Sequence, residues 1–293
     1  MQTNAKLGTK IANVIIIFIL ILVSLTMIVP FLHLISVSIS KPEYVYQGAV
    51  TISPKGLYFK VYEAILKNES FLKAFYNSIK YTAVGTAINL VLTCMCAYPL
   101  NKKFPGKKFF TLMLVLTMFI SGGMIPNYLL MNYLGILDKI WVMVLPGAIS
   151  AYYAFIMRTY FLTISEEIEE AAKIDGCSEI GILFKIILPL SKPIFATLGL
   201  FYGIGHWNNY FGPLIYLNSK ENYPLQLFLR NILVQQSEIS SIDRELFTKY
   251  RQQFNPTQFK YGTIIVSIIP VLLLYPYLQK HFTKGFMIGS VKG

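Results

Sequence analysis

The run from Ile11 to Ser40 contains no Asp, Glu, Lys or Arg. It is about twice as long as a signal-peptide apolar region, and no small-residue cleavage site follows it. Crossing a hydrocarbon core takes roughly 20 apolar residues in a helix. Residues 11–37 are therefore read as an uncleaved first transmembrane span. Five further stretches qualify: Asn77–Leu100, Phe109–Leu130, Ile140–Leu162, Pro193–Leu217 and Tyr261–Leu278. The expectation is an all-α membrane protein with six transmembrane helices in one domain over residues 1–293. Two long outer loops, 41–76 and 218–260, accompany them.

Composition agrees. Charged residues make up 14% of the chain and hydrophobic types 55%, against about 25% charged in a soluble globular protein. A soluble enzyme or a disordered chain is excluded. The formal net charge of +12 in a membrane protein reflects basic loops near anionic lipid rather than nucleic-acid binding. Cys94, Cys96 and Cys177 do not make a disulfide framework and are read as free thiols. The chain has no CxxC, no HExxH and no phosphate-loop motif, so no metal or nucleotide site of its own is expected.

Lysines set the orientation. The loop between spans two and three carries Lys102, Lys103, Lys107 and Lys108, whereas the next loop carries only Lys139. The first of these loops, and with it both termini, is expected on the cytoplasmic side. Lys80 and Arg158 lie near span ends, where they can snorkel.

None of the six stretches contains an Asp or Glu. Ion-coupled carriers usually place carboxylates at mid-membrane, so their absence argues against a secondary transporter. His33, His206 and His281 have no obvious acid partner in the sequence and are read as packed or interfacial residues. If the protein moves a solute, the energy comes from elsewhere.

The acids are concentrated. Glu166, Glu167, Glu169, Glu170, Asp175 and Glu179 all fall in the loop 163–192 between spans four and five. Thr163 and Glu166 form a capping-box pattern. The glutamates occupy the first turns, where the helix dipole favours negative charge. Ile168, Ala171 and Ala172 line one face, and Gly176 is a natural left-handed terminator. Ile180, Leu183, Phe184 and Ile187 mark a second amphipathic helix that Pro189 closes, and Pro193 suits the first turn of span five. The pattern predicts two short helices with a glycine elbow. By composition alone, this is either an interfacial hairpin or a docking knob for a cytoplasmic partner.

Glu170-Ala171-Ala172, three residues, Gly176, nine residues, Ile186, one residue, Leu188-Pro189 resembles the EAA loop of binding-protein-dependent ABC importer permeases. The likeness covers most of the chain. Asn77-Ser78, Ala97-Tyr98-Pro99-Leu100, Phe104-Pro105-Gly106, Met124-Ile125-Pro126 and Tyr133-Leu134-Gly135 are similar to the carbohydrate-uptake, maltose-importer type. So are Trp207-Asn208-Asn209-Tyr210 with Pro213-Leu214, and the tail Phe282–Gly285 with Gly289–Gly293. Within that type the likeness extends to the smaller permease of the bacterial alginate importer. Cys177 stands where the family often has Ala.

The resemblance implies a type I ABC importer permease fold in the bacterial inner membrane. It also implies a second homologous permease, two copies of an ABC ATPase that carry ATP and Mg, and an extracytoplasmic solute-binding protein. This chain would be a transport subunit that binds no cofactor and catalyses nothing. Glu170 would supply the polar contact to the ATPase, Ala171 and Ala172 the close packing, and Gly176 the inter-helix angle. Asp175 would cap the second helix or touch the ATPase, and Leu188-Pro189 completes the motif. Glu166, Glu167 and Glu169 are read as a solvated helix start.

Trp207, Asn208, Asn209 and Tyr210 combine aromatic faces with amides, which suit an oligosaccharide path. They equally suit an interfacial belt and helix glue. The segment 218–260 is expected to contact the binding protein. Its Arg230, Arg244, Lys249, Arg251 and Lys260 against Glu221, Glu238, Asp243 and Glu245 are compatible with an acidic sugar such as alginate. A permease for a non-sugar solute, and a membrane scaffold or sensor that recruits a partner through its hairpin, remain the alternatives.

Overall fold

The computed structural model describes residues 2–234 and 254–285. Glu238, Asp243, Arg244, Glu245, Lys249 and Arg251 of the long loop, and the tail motif Gly289–Gly293, lie outside the described residues. The described residues are helical, with one isolated bridge between Ser40 and Leu57. The chain divides into two units, residues 1–69 with 231–269 and residues 70–230 with 270–293.

The first unit holds α1 (Gln2–Ser38), α2 (Pro42–Tyr46), α3 (Lys60–Leu66) and the first half of the last helix, α15 (Pro256–Gly285). From Thr9 to Leu32 every residue of α1 is exposed, as suits a helix whose solvent is lipid. Its end is tied down by a buried amide: Gln258 Nε2 donates to Ser40 O at 2.6 Å. The Ser38 and Tyr62 hydroxyls meet at 2.6 Å. Gly262 packs so closely on α3 that a Cβ there would sit 2.9 Å from Ile65 Cδ1. His33 Nδ1 meets Thr51 O at 2.8 Å and its ring stands edge-on to Tyr261, so it is a packed residue.

The second unit is organised on α4 (Glu69–Asn101). Asn77, Tyr81, Gly85, Asn89, Thr93 and Ala97 are all buried, one at every fourth position. Such an i±4 row is the ridge along which two helices interdigitate. It packs on α8 (Ala151–Phe161) and α12 (Lys192–Asn208) around Met157, Phe161, Leu198 and Tyr202. The row carries polar groups because backbone and side-chain partners face it. Asn89 Nδ2 donates to Ala148 O at 2.7 Å, Asn89 Oδ1 meets His206 Nε2 at 2.6 Å, and the Thr93 and Tyr202 hydroxyls pair at 2.7 Å. His206 is thus a satisfied packing residue. A Cβ on Gly85 would lie 2.5 Å from His206 Nε2, so any larger residue there would displace the ring from Asn89.

The expected spans are not all continuous. Among the described residues three unbroken helices are long and apolar enough to cross a membrane: Thr9–Ser38, Glu69–Asn101 and Pro256–Leu273. The number reaches five if each of two bent helix pairs, Lys107–Phe119 with Met124–Tyr133 and Glu179–Leu190 with Lys192–Asn208, counts as one span. The expected third span divides into α5 (Lys107–Phe119) and α6 (Met124–Tyr133), bent by 114° at the Ser121-Gly122-Gly123 break. The expected fourth span, 140–162, divides into α7 (Ile140–Val144) and α8. Pro146 cannot continue a helix, and Gly147 sits at φ +76°. The fifth breaks after α12, at Asn209, before α13 (Phe211–Tyr216). Hydropathy misses these breaks because a window average over a span absorbs one to three glycine, proline, serine or asparagine residues among many apolar ones.

Candidate functional site

Two polar assemblies terminate the second unit, one formed by the acidic loop and one by residues 134–139 with 216–225.

The acidic loop folds as the expected hairpin. α9 (Glu166–Ile174) starts at Ser165, whose hydroxyl accepts from Glu167 N at 3.3 Å. Ser165 therefore replaces Thr163 as the cap. Thr163 Oγ1 instead donates to Tyr160 O at 2.7 Å. Gly176 adopts φ +81°, and the Cys177 and Gly176 N–H groups bond back to Ala172 O and Lys173 O at 2.9 and 3.0 Å. This is a Schellman closure, which requires the left-handed residue. The second arm begins with α10 (Glu179–Ile182), capped by Ser178 and not by Asp175. It runs through a π-helical turn, Leu183–Ile187, and then α11 (Leu188–Leu190). Pro189 therefore lies within the arm. The arm ends at Ser191, where the chain bends 79° into α12. A single π turn widens a helix and recurs at functional sites.

The inner face of the hairpin is anchored on the end of α4. Ala172, Ile182 and Ile187 are buried with Ala97, Tyr98 and Phe161. Lys102, one residue past α4, pairs with Glu169, lies 3.8 Å from Glu179 and sits over the Tyr98 ring at 4.9 Å. Lys173 Nζ holds Glu179 at 2.6 Å, and Tyr98 OH donates to Glu179 Oε2 at 3.2 Å. The hydrogen bond from Lys173, with Lys102 behind it, keeps the Glu179 carboxyl below its ordinary pKa despite some desolvation. Burial pulls the Lys102 ammonium below its own ordinary value, against the attraction of Glu179. Glu169 is thus an anchor and departs from the expectation of a solvated start. Arg158 Nε, from α8, donates to Leu100 O at 2.9 Å and closes the last turn of α4.

The outer face of the hairpin is bare. Glu170, Ala171, Asp175, Gly176 and Pro189 are exposed and Leu188 is half-buried. Ile174, Ile180 and Phe184 are 86%, 71% and 63% exposed. Apolar side chains this open, with the exposed Glu170 and Asp175 on the same hairpin, mark an interaction surface. The two alanines separate: Ala171 faces outward, while Ala172 is taken up by the chain's own core.

At the second assembly, Asp138 adopts φ +59° and accepts from Asn218 N and Ser219 N at 3.1 Å each, from Ser219 Oγ and from Asn222 Nδ2. Desolvation opposes the charge, but the donors from Ser219, Asn222 and Asn218 outweigh it and hold the carboxyl below its ordinary pKa. From α4, Asn77 Nδ2 donates to Glu221 O at 2.6 Å and Tyr81 OH to Asn222 O at 2.9 Å. Ser78 Oγ accepts from Leu225 N at 2.7 Å, at the start of α14 (Leu225–Val234). The Asn77-Ser78 pair is therefore a clasp on the segment after α13.

The four residues expected on a sugar path do not converge. Trp207 is 7% exposed and lines an apolar groove of about 760 Å³ with Thr82 and Thr86 of α4, Gly199 and Gly203 of α12 and Pro270 of α15. Asn209 Oδ1 accepts from Gly212 N at 3.1 Å and caps α13. Asn208 and Tyr210 are exposed. Trp207 Nε1, Thr82 Oγ1 and Thr86 Oγ1 are buried without a hydrogen-bond partner among the described residues. The threonines were legible as one helix face at i, i+4, but nothing in their types marked them. Among the described residues no cluster of metal-ligating side chains occurs, and all three cysteines are free.

Long apolar helices, no strand among the described residues and an exposed acidic hairpin are the build of a membrane transport subunit. Residues 89–287 match the model of the binding-protein-dependent transport system inner membrane component, and the chain belongs to that family. It is 40% identical over 91% of its length to Protein LplC of Bacillus subtilis (strain 168), covering 90% of that protein. It is 38% identical over 94% to the polygalacturonan/rhamnogalacturonan transport system permease protein YtcP of the same organism, covering 96%. A crystal structure of a bacterial ABC transporter involved in the import of the acidic polysaccharide alginate has a chain that aligns with a TM-score of 0.88. Identity there is 32%, over 93% of this chain and 97% of that one. The chain is a carbohydrate-uptake ABC permease, a transport subunit of the inner membrane.

Proposed function

We propose that this chain forms half of the translocation path of an ATP-driven importer of acidic oligosaccharides and is coupled to a cytoplasmic ATPase through the hairpin 163–192. The observation that carries the coupling is the division of the hairpin into an anchored inner face and a bare outer face. Lys102, Glu169 and Glu179 fix it to α4, while Glu170, Ala171, Ile174 and Phe184 face away. A push on the outer face reaches α4 directly, and α4 carries Thr82, Thr86 and Asn89. In this reading the hairpin, the lysine loop 101–108 and both termini are cytoplasmic, and the Asp138 clasp is extracytoplasmic. A homologous permease completes the path, two ATPase subunits bind ATP and Mg, and a solute-binding protein delivers the sugar. Trp207, Thr82 and Thr86 line the groove that would belong to this path. The acidic substrate class follows the alginate and polygalacturonan relatives.

The test is binding-protein-stimulated ATP hydrolysis by the assembled complex in proteoliposomes. Oligogalacturonides and alginate oligosaccharides are compared with neutral arabino- and galacto-oligosaccharides. Stimulation by the uronate oligomers alone is expected. Stimulation only by neutral sugars would reassign the substrate, and none by any sugar would remove the reading.

A further inference from the structure

A second groove lies at the hairpin end of α4, between its last turns and α5. It has a volume of about 530 Å³ and an apolar lining that includes Met95, Cys96, Pro99, Phe104, Phe110 and Met113. Three lysines lie close in the chain to residues that line it, Phe104 and Phe110. Lys103 precedes Phe104, and Lys107 and Lys108 form the first turn of α5. Lys102 is engaged by the hairpin, but Lys103, Lys107 and Lys108 form no ion pair among the described residues.

The start of α5 is electrostatically mismatched. Gly106 adopts φ +88° as its cap, no side chain accepts from the first N–H groups, and the first turn contains no acid. A helix N-terminus carries about half a positive charge, so two lysines there repel the dipole instead of balancing it. A helix start without an acid, two lysines on its first turn and a third beside them favour an anionic oxygen group, as helix starts do for phosphate. The groove running away from that point requires an apolar occupant. One molecule joins these chemistries across one short distance.

We propose that this groove is a binding site for an anionic phospholipid of the leaflet on the lysine side. An acyl chain lies along Met95, Pro99 and Met113, and the phosphate sits on the first turn of α5 with Lys103, Lys107 and Lys108. The site borders the α4 end that Lys102 ties to the hairpin, so bound lipid stiffens the seat on which the hairpin rests. The proposal rests on the reading above only for which leaflet supplies the lipid.

The test uses the full assembled complex, moved from nanodiscs of phosphatidylglycerol and phosphatidylcholine into detergent, with retained lipid counted by native mass spectrometry. Wild type is expected to retain phosphatidylglycerol in preference to phosphatidylcholine. Each Lys→Gln change at 103, 107 and 108 should reduce that preference roughly fivefold. The triple Lys→Arg variant should keep it. Leu114 also lines the groove, and Leu114→Trp, which fills it, should lose retained lipid of both kinds. An unchanged preference in the triple Gln variant would overturn the proposal. So would a Cys96 thiol, the only one left after Cys94→Ser and Cys177→Ser, that a lipid-soluble maleimide fails to reach in lipid-stripped complex, because a partner subunit would then cover the groove. Neither readout involves transport, so the proposal can fail while the importer reading stands.

Discussion

The hairpin and the Asp138 clasp end the same long helix, and they are held by different physics. The clasp is saturated: one carboxylate takes four donors, and Asn77, Ser78 and Tyr81 bond the backbone of residues 221–225. Fixed hydrogen bonds of this density leave one geometry. The hairpin instead rests on small apolar contacts and on a cation shared between two carboxylates. Its outward apolar residues Ile174, Ile180 and Phe184 stay largely exposed. A segment of that kind can move as a piece, and the comparison assigns motion to the hairpin end and rigidity to the clasp end.

The sharpest way to break this contrast is Lys102→Glu. It replaces the shared cation with a third carboxylate beside Glu169 and Glu179, both within its reach. Sugar uptake and stimulated ATP hydrolysis in proteoliposomes should fall at least about tenfold. The exchange Lys102→Glu with Glu169→Lys should recover part of the loss. Hydrogen bonds to charged groups contribute roughly 1.5–3 kcal/mol each, so a loss of this size is within range.

At the other end, Asp138→Ala strands four donors. The cost should be about 2 kcal/mol, seen as a lower thermal midpoint of the purified complex. ATPase retention on the complex should not change. If the clasp variant instead released the ATPase subunits, the assignment of motion to one end would be wrong.

The two alanines give a finer comparison. Ala172→Leu should destabilise by roughly 1–3 kcal/mol through overpacking against Ile182 and Phe161. Ala171→Leu should leave stability alone and weaken ATPase co-purification. Equal effects at both positions would contradict the two-faced hairpin.

Several of these features were legible in the sequence, and the reasons differ. Gly176 was readable because only a left-handed residue closes a Schellman turn without strain. The acidic start of α9 was readable from the dipole. The role of Glu169 was not, because its partner lies 67 positions away in the chain. The cap moved from Thr163 to Ser165 because Thr163 spends its hydroxyl on the end of the preceding helix. The six apolar stretches were visible as composition, but their breaks at Gly123, Pro146-Gly147 and Asn209 were not, since hydropathy averages over geometry. Of the sugar-path residues only Trp207 lines the groove, because Asn209 is used to cap α13.

The smallest effects concern charge screening. Lys173 and Glu179 are about half exposed, so Lys173→Ala or high salt should cost under about 1 kcal/mol. Asp138 and Glu179 have lowered folded-state pKa values. Their contribution is present in full above the ordinary carboxylate pKa and is lost as pH falls through the depressed value. Both ends should therefore be flat through neutral pH and weaken only in strong acid, which a pH series of thermal midpoints checks.

The central claim is that the outer face of the hairpin transmits ATP-driven force. The most direct measurement is Glu170→Lys in the assembled complex, with uptake and binding-protein-stimulated ATP hydrolysis read in the same proteoliposomes. Glu170 is exposed and outside the anchoring network, so the fold and the clasp should be unchanged, with an unaltered thermal midpoint. Both activities are predicted to fall at least about tenfold together. Wild-type uptake and stimulation in that variant would contradict the account.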